Sequence, residues 1–294
     1  MSEFKRGLKD DFVSKLNELY GEGTWWKEMV NDADTFVAIR DNYVNVYYRG
    51  ASLARVEPSA DGVKAHVHYK YLLDPAPWRD DEYVRVDKEG EIDWGRLGQK
   101  SFPADSIDVR ALKAVAGNYA GEEKTGVHKI AVIPDNAVVD VEIAISDGSR
   151  ARRVDIAALV YAGDVVEVRF FEAKAFSNSE LRAKGIPDVV EQIEAYGKLL
   201  NENRDEVVRS YRTVCDNLAN LKGLYLSGPR QALINAVVHA EKPLVLDEEP
   251  WLVVFGFDDD QRRGRLEREL KKLGEVHKLK AVARGDAKNV RLTS

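Results

Sequence analysis

The sequence predicts an α/β protein in which a mixed sheet flanked by helices follows a β-rich N-terminal module. Three observations carry that reading. Residues 34–72 alternate apolar and polar positions between turn signals at Asp41-Asn42, Gly50 and Asp61-Gly62, the pattern of an antiparallel meander. Three more strand-like runs come at close spacing, AVVDVEIAI, RRVDIAALVY and DVVEVRFFEAKA, joined by SDGS and AGD turns. Helical periodicity then takes over from about residue 187 to 240, and two further strands follow it, so strands and helices are interleaved.

Composition limits what the chain can be. At 294 residues and 44% hydrophobic content it can fill one large core or two ordinary ones. No apolar run approaches the roughly 20 residues that span a bilayer, and MSEFKRGLKDDF is charged where a secretion signal needs an apolar stretch. The expectation is a cytoplasmic protein with no membrane partner. A single cysteine, Cys215, cannot form an intrachain disulfide, an iron–sulfur cluster or a structural zinc site, and YRTVCDNLANL places it on the apolar face of a helix. The formal charge of -6 argues against a surface coated in positive potential and leaves room for a local basic groove.

Taken in order, residues 8–20 set Phe12, Leu16 and Leu19 at helical spacing until Gly-Glu-Gly stops the run. The meander follows as TFVAIR, NYVNVYYRG, ASLARVEP and GVKAHVHYKYLL. Residues 73–103, rich in Pro, Asp and Gly and holding Trp78 and Trp94, show no sustained period and read as a long connection. That seam divides the chain into a module of residues 1–102 and a domain of residues 103–294. Beyond it, Asp105 or Ser106 caps a helix whose face is Ile107, Leu112, Val115 and Ala116. The three strands come next, then helices at about 187–202, 204–222 and 229–240, a strand from 251, a charged helix at 261–273 and a last strand around 275–283.

The chemistry gathers at FFEAKA. Side chains on a strand alternate faces, so Glu172 and Lys174 extend the row of Val166, Val168 and Phe170, while Asp155 shares a face with Arg153, Ala157 and Leu159 on the preceding strand. Two carboxylates and an ammonium thus converge at one edge of a sheet, where leaving them unpaired would be costly. A divalent cation suits such carboxylates, because Mg²⁺ takes oxygen ligands and is often held by one or two carboxylates together with substrate phosphates. Lys174 would then orient or deprotonate a water, or neutralise charge as a phosphodiester is cleaved. An Asp155/Glu172/Lys174 ion-pair network that merely holds the sheet together stays open on these residues alone.

The next helix adds to this pattern. In GIPDVVEQIEAYGKLL, Pro187 suits a first turn, Asp188 and Glu191 complement the dipole, and Val189, Ile193, Tyr196 and Leu200 form the inward stripe. Gln192 and Tyr196 lie four apart, and the Gln192 amide, beside an apolar stripe, needs a partner such as a phosphate, a metal-bound water or Glu172.

Asp155, then Glu172-Ala173-Lys174 on the following strand, then Gln192-Ile193-Glu194-Ala195-Tyr196 on the next helix, resembles the PD-(D/E)XK nuclease superfamily. The Gln-x-x-x-Tyr element is similar to its RecB-like and lambda-exonuclease-like branch, and residues 138–200 also look like bacterial members of that group. The resemblance implies a restriction-endonuclease-like fold and metal-dependent hydrolysis of phosphodiester bonds in DNA. By position it implies that Asp155, Glu172 and the main-chain carbonyl of Ala173 hold Mg²⁺ or Mn²⁺. Lys174 would position the water, and Gln192 and Tyr196 would contact the site or the DNA backbone. Val154 stands where many members have a proline. The acidic residue or His that many members carry on a first helix has Glu142, Glu122, Glu123 and His128 as candidates. Glu142 is preferred for sharing a strand face with Asp140 beside the Asp155 strand, against a reading as an exposed strand carboxylate. A homodimer, a helicase and a defence-system partner are compatible with this assignment. A nuclease fold kept for nucleic-acid binding or regulation is its alternative.

Other features carry paired readings. Arg153, Asn178, Arg182 and Lys184 could line a nucleic-acid-binding entrance, or the last three a solvated loop. Residues 262–280 hold eight Lys or Arg against three Glu, yet Leu266, Leu270 and Leu273 form a core stripe and the charges pair along the helix, which favours a solvated face. His66 and His68 share a strand face without a third ligand at a recognisable spacing. Tyr43, Tyr47, Tyr48, Trp25 and Trp26 could stack on single-stranded bases or fill a core. GRLGQKS lacks the Gly-Lys-Ser/Thr ending and the preceding strand of a phosphate loop, which excludes an ATPase reading.

Overall fold

The structure, a computed structural model, describes residues 4–72, 83–95, 105–146, 151–182, 185–224, 226 and 228–293. It is a mixed α/β architecture with two six-stranded sheets. The first sheet runs in chain order through β1 (Phe36–Ile39), β2 (Val44–Tyr48), β3 (Ala51–Ser59), β4 (Gly62–His68), β5 (Tyr83–Val86) and β6 (Ile92–Asp93). Every neighbouring pair is antiparallel. Alternation buries Val44, Val46, Val56, Val63, Ala65, Val67, Val84 and Val86 on one face. Three helices cover that face: α1 (Asp10–Glu22), α2 (Trp25–Asn31) and α3 (Val109–Gly117).

Here the structure corrects three expectations. The stretch read as a connection contains β5 and β6, because Tyr83-Val84-Arg85-Val86 alternates exposed and buried over only four residues, too few to stand out from the Pro- and Asp-rich sequence around them. A seven-residue α2 buries Trp25, Trp26, Met29 and Val30, and such a short, largely buried turn gives no amphipathic signal. The cap of α3 is Asp108, whose side chain accepts from the N–H groups of Arg110 and Ala111, while Ser106 bridges to Glu91 at the sheet edge. A boundary at 102/103 falls outside the described residues, as does most of the SDGS turn. On the far side of that boundary, α3 still packs on β2 and β3.

The second sheet contains β7 (Val138–Ser146), β8 (Ala151–Ala162), β9 (Val165–Ala175), β10 (Leu244–Leu246), β11 (Trp251–Phe255) and β12 (Ala281–Ala283). Its order is β12-β11-β9-β8-β7, with β10 alongside β9. The strands β7, β8 and β9 are antiparallel, while β10 and β11 lie parallel to β9 and β12 parallel to β11, so the sheet is mixed. On one face Leu159, Val168 and Phe170 meet α5 (Asp188–Glu202), α6 (Arg204–Asn220) and α7 (Gly228–Val238). On the other, Ile156, Ala158 and Phe171 meet α4 (Glu122–Ala131). The charged C-terminal helix starts as α8 (Asp259–Gln261), passes through a π turn at Arg262–Leu266 and continues as α9 (Glu267–Glu275), burying only Leu266 and Leu273. Cys215 is packed in the α6 face, and burial pushes its thiol up to about 12.

One core joins the first sheet to the α5–α7 side of the second. Residues 4–8 run along α6, where the Leu8 N–H donates to Asn217 Oδ1 at 2.7 Å and Ser210 Oγ donates to the Phe4 carbonyl at 3.1 Å. Beside them Asp140 of β7, fully buried, accepts from Arg40, from Arg6 Nε at 3.3 Å and from the Tyr211 hydroxyl at 3.1 Å. Among the described residues no helix is long and apolar enough to cross a membrane.

Candidate active site

The row that begins as core on β9 ends as chemistry. Val166, Val168 and Phe170 are fully buried, and Glu172 and Lys174 continue the same face at 3% and 6% exposure. The β8–β9 register sets Ile156 against Phe171, which brings Asp155 level with Glu172. Across the parallel pairing, β11 offers only Leu252 and Val254 opposite Glu172 and Lys174. The charges therefore find their partners on this sheet, in the loop after β9 and on the helices.

Asp155 is partly exposed, and its Oδ2 accepts the Ala173 N–H at 2.8 Å. Burial pushes its carboxyl well above the usual range, the neighbouring Glu172 charge adds to the shift, and the Ala173 hydrogen bond opposes it. Glu172 is raised as well, by burial first, against the pull of Lys174. Its Oε1 lies 2.8 Å from Lys174 Nζ, while its Oε2 is buried with no hydrogen-bond partner. Lys174 Nζ also meets Glu180 Oε2 at 2.5 Å. Burial alone would lower the Lys174 ammonium, but the charges and hydrogen bonds of Glu172 and Glu180 win and hold it above its ordinary value. Lys174 is thus a cation at neutral pH, suited to holding a water or an anion and unable to take a proton.

The helix α5 closes the group from above. Gln192 Nε2 reaches Glu180 Oε2 at 3.4 Å, and its Oε1 is a second buried acceptor without a partner. Tyr196 donates its hydroxyl to the Arg153 carbonyl at 2.8 Å. Burial, followed by the charges of Glu172 and Asp155, raises the phenol, so it stays a donor.

Two further carboxylates flank the pair. Glu142 of β7 sits at φ +53°, pairs with Arg153 Nη1 at 3.0 Å and adds to the repulsion on Asp155. Glu123 of α4 accepts the Ala175 N–H at 3.2 Å and the Asn178 amide at 2.7 Å, and its charge bears on Glu172. Sequence reasoning weighed Glu123 but preferred Glu142, and it missed Glu180 altogether. Glu180 lies in a short 3₁₀ turn, Ser179–Leu181, capped by Asn178 Oδ1, and the Asn-Ser-Glu cap pattern was the only local signal of where it would sit.

The remaining candidates divide. Asn178 is committed to that cap and to Glu123, and Arg182 donates to the carbonyls of Phe176 and Asn178 in its own loop, lying 4.6 Å over the Phe176 ring. Arg153 is exposed. Lys184 lies outside the described residues. Trp25 and Trp26 are core, and Tyr48 packs edge-on to His128. His66 pairs with Glu57 and His68 accepts the Lys70 N–H, so neither is poised as a ligand.

Among the described residues no three His, Cys, Asp or Glu side chains form a cluster that could hold a metal ion by themselves. What the site offers instead is two adjacent carboxylates that repel one another, the unpartnered Glu172 Oε2 and the unpartnered Gln192 Oε1, a set of hard oxygen donors. That donor set fits a divalent cation that keeps waters and substrate oxygens in its remaining positions. No family model, curated protein or solved structure was found to match the chain.

Proposed function

We propose that this protein is a metal-dependent nuclease of the PD-(D/E)XK type that hydrolyses phosphodiester bonds in DNA. One observation carries the reading: Asp155 and Glu172 lie level on adjacent strands, with a buried Glu172 oxygen left without a partner, beneath a helix presenting Gln192 and Tyr196. A network that only held the sheet together would pair Asp155 with Lys174, yet Asp155 accepts a backbone N–H and keeps contact with solvent. The succession of α4, antiparallel β7, β8 and β9, then α5 and parallel β11 supports a restriction-endonuclease-like reading of the fold.

Asp155 and Glu172 would hold Mg²⁺ or Mn²⁺, with the Ala173 carbonyl between Glu172 and Lys174. When bound, the cation would polarise the scissile phosphate and stabilise charge on its oxygens. Lys174, fixed between Glu172 and Glu180, orients the attacking water by donating to it. Tyr196 fixes the Arg153 carbonyl and with it the strand that carries Asp155. Gln192 supplies an amide donor and acceptor at the same face.

Incubation with single- and double-stranded DNA and RNA in Mg²⁺ or Mn²⁺, beside Lys174→Ala and Asp155→Asn, tests the assignment. Cleavage of DNA is expected, with a loss of about 10²-fold or more in each variant, as for removal of one positioned donor or charge at an active site. Cleavage that survives Lys174→Ala removes Lys174 from the mechanism, and no cleavage of any polymer by the wild type removes the nuclease reading.

A further inference from the structure

The outward face of the first sheet is not a plain solvated surface. It forms one wall of a groove of about 740 Å³ that runs from the end of β4 across β2 and β3 to Glu142 and Arg153. A second cavity of about 350 Å³ continues it past Tyr43, Asn45 and Tyr47. The lining ends at Arg153, two residues before Asp155 on β8, and at Glu142, which pairs with it, so the groove ends beside the strand that carries Asp155.

Its lining combines rings with cations. Tyr83 and Tyr119 are 58% and 50% exposed, and they stand with Tyr71 at one end, where Lys70 lies 5.0 Å over Tyr71 and 5.3 Å over Tyr119. Tyr43 lines the middle beneath Arg55, 4.1 Å from its ring. Arg49, Lys124 and Arg153 add three exposed cations. Among the described residues the carboxylates in the lining are already matched: Glu57 pairs with Lys64, Arg55 and His66, and Glu142 pairs with Arg153. On a chain of net charge -6, this concavity is locally cationic. Asn45 Oδ1, buried at its floor, has no hydrogen-bond partner.

We propose that this groove binds a single-stranded polynucleotide and leads it to Asp155 and Glu172. The proposal rests on the nuclease reading for its destination, but not for its binding chemistry. A cationic track follows phosphates on any nucleic acid, whereas exposed rings gain only from unpaired bases, which stack on them regardless of sequence. A duplex keeps its base faces covered and would leave Tyr83 and Tyr119 without purpose. The phosphates and base faces are common to DNA and RNA, and the arms of the test separate the two.

The test measures fluorescence anisotropy of labelled oligothymidylate and oligouridylate of about 15 nucleotides, and of a duplex of equal length, in EDTA so that no cleavage occurs. The wild type is expected to bind a single strand more tightly than the duplex, and more weakly as salt rises. Tyr83→Ala/Tyr119→Ala, at positions too exposed to disturb folding, is expected to weaken binding by about tenfold or more. Tyr83→Phe/Tyr119→Phe restores it, and Arg49→Ala/Lys124→Ala flattens the salt dependence. Equal or tighter duplex binding, no binding of either single strand, or binding indifferent to the tyrosine variants overturns the proposal. Strand binding by a wild type that cleaves nothing in Mg²⁺ or Mn²⁺ overturns the nuclease reading and leaves the groove standing. Cleavage by a protein whose tyrosine variants bind normally does the reverse.

Discussion

At the residue scale, the site holds more negative charge than a metal-free protein would choose. Burial raises both carboxyls; the charges of Glu172 and Glu142 add to the shift on Asp155 and those of Glu123 and Glu180 to the shift on Glu172, against the pull of Lys174 and the Ala173 N–H. Asp155→Asn keeps an oxygen to accept the Ala173 N–H and removes one of the repelling charges. In chelator at neutral pH the variant is expected to be more stable by about 1 kcal/mol, a rise in melting temperature of about 2–4 °C, while cleavage is lost. A lower melting temperature would show that the carboxylate serves the fold. Asp155, Glu172 and Lys174 were legible in the sequence because strand alternation is a strict rule that places every second side chain. Glu180 was not, because no period reaches from a strand into a capped turn, and its contact with Lys174 depends on how that turn folds back. The choice of Glu142 over Glu123 turned on the same limit, since Glu123 meets the end of β9 only through a helix from earlier in the chain.

At the element scale, α4 lies tight against β11. A Cβ at Gly126 would stand 2.1 Å from Phe255 Cε2 and 2.2 Å from Cζ, so either the buried ring or the helix must shift. Gly126→Ala is therefore expected to push α4 off the sheet and to cost about 1–3 kcal/mol. Glu123, one turn earlier on the same helix, would lose its hold on the Ala175 N–H and the Asn178 side chain, and cleavage should fall by about 10²-fold from misplacement alone. Gly21→Ala in α1, where a Cβ meets nothing within 4 Å, is the matched control and is expected to gain about 0.5–1 kcal/mol. Equal effects at the two positions in a denaturation series would remove the packing argument. This helix was missed in the sequence, as α2 and β10 were: Glu122–Ala131 carries no capping side chain, and its apolar positions are few and interrupted by His128. The long amphipathic helices α5 and α6 and the three central strands were legible because their periods run for 9 to 17 residues.

At the scale of the whole molecule, the composition shift at residues 73–103 suggested two units, but composition does not report which side chains share a core. Phe4, Leu8 and the first sheet belong to one buried cluster with Phe170, Tyr211 and Leu218. Polar contacts reinforce it: Arg6 and Arg40 from the first unit both reach the fully buried Asp140 of β7, and Arg40 also donates to the Val141 carbonyl at 2.7 Å. Unfolding either unit alone would strand Asp140 or Arg40 in a protein interior without its partner, a loss of about 3–5 kcal/mol before any apolar surface is counted. Calorimetry is therefore expected to show a single transition whose van't Hoff and calorimetric enthalpies agree, and probes in the two units, such as Trp26 beneath the first sheet and Trp251 on β11, should report one midpoint. Two separated transitions would mean that the shared cluster contributes little, and the groove between the first sheet and Asp155 would then lose the fixed geometry on which strand delivery depends.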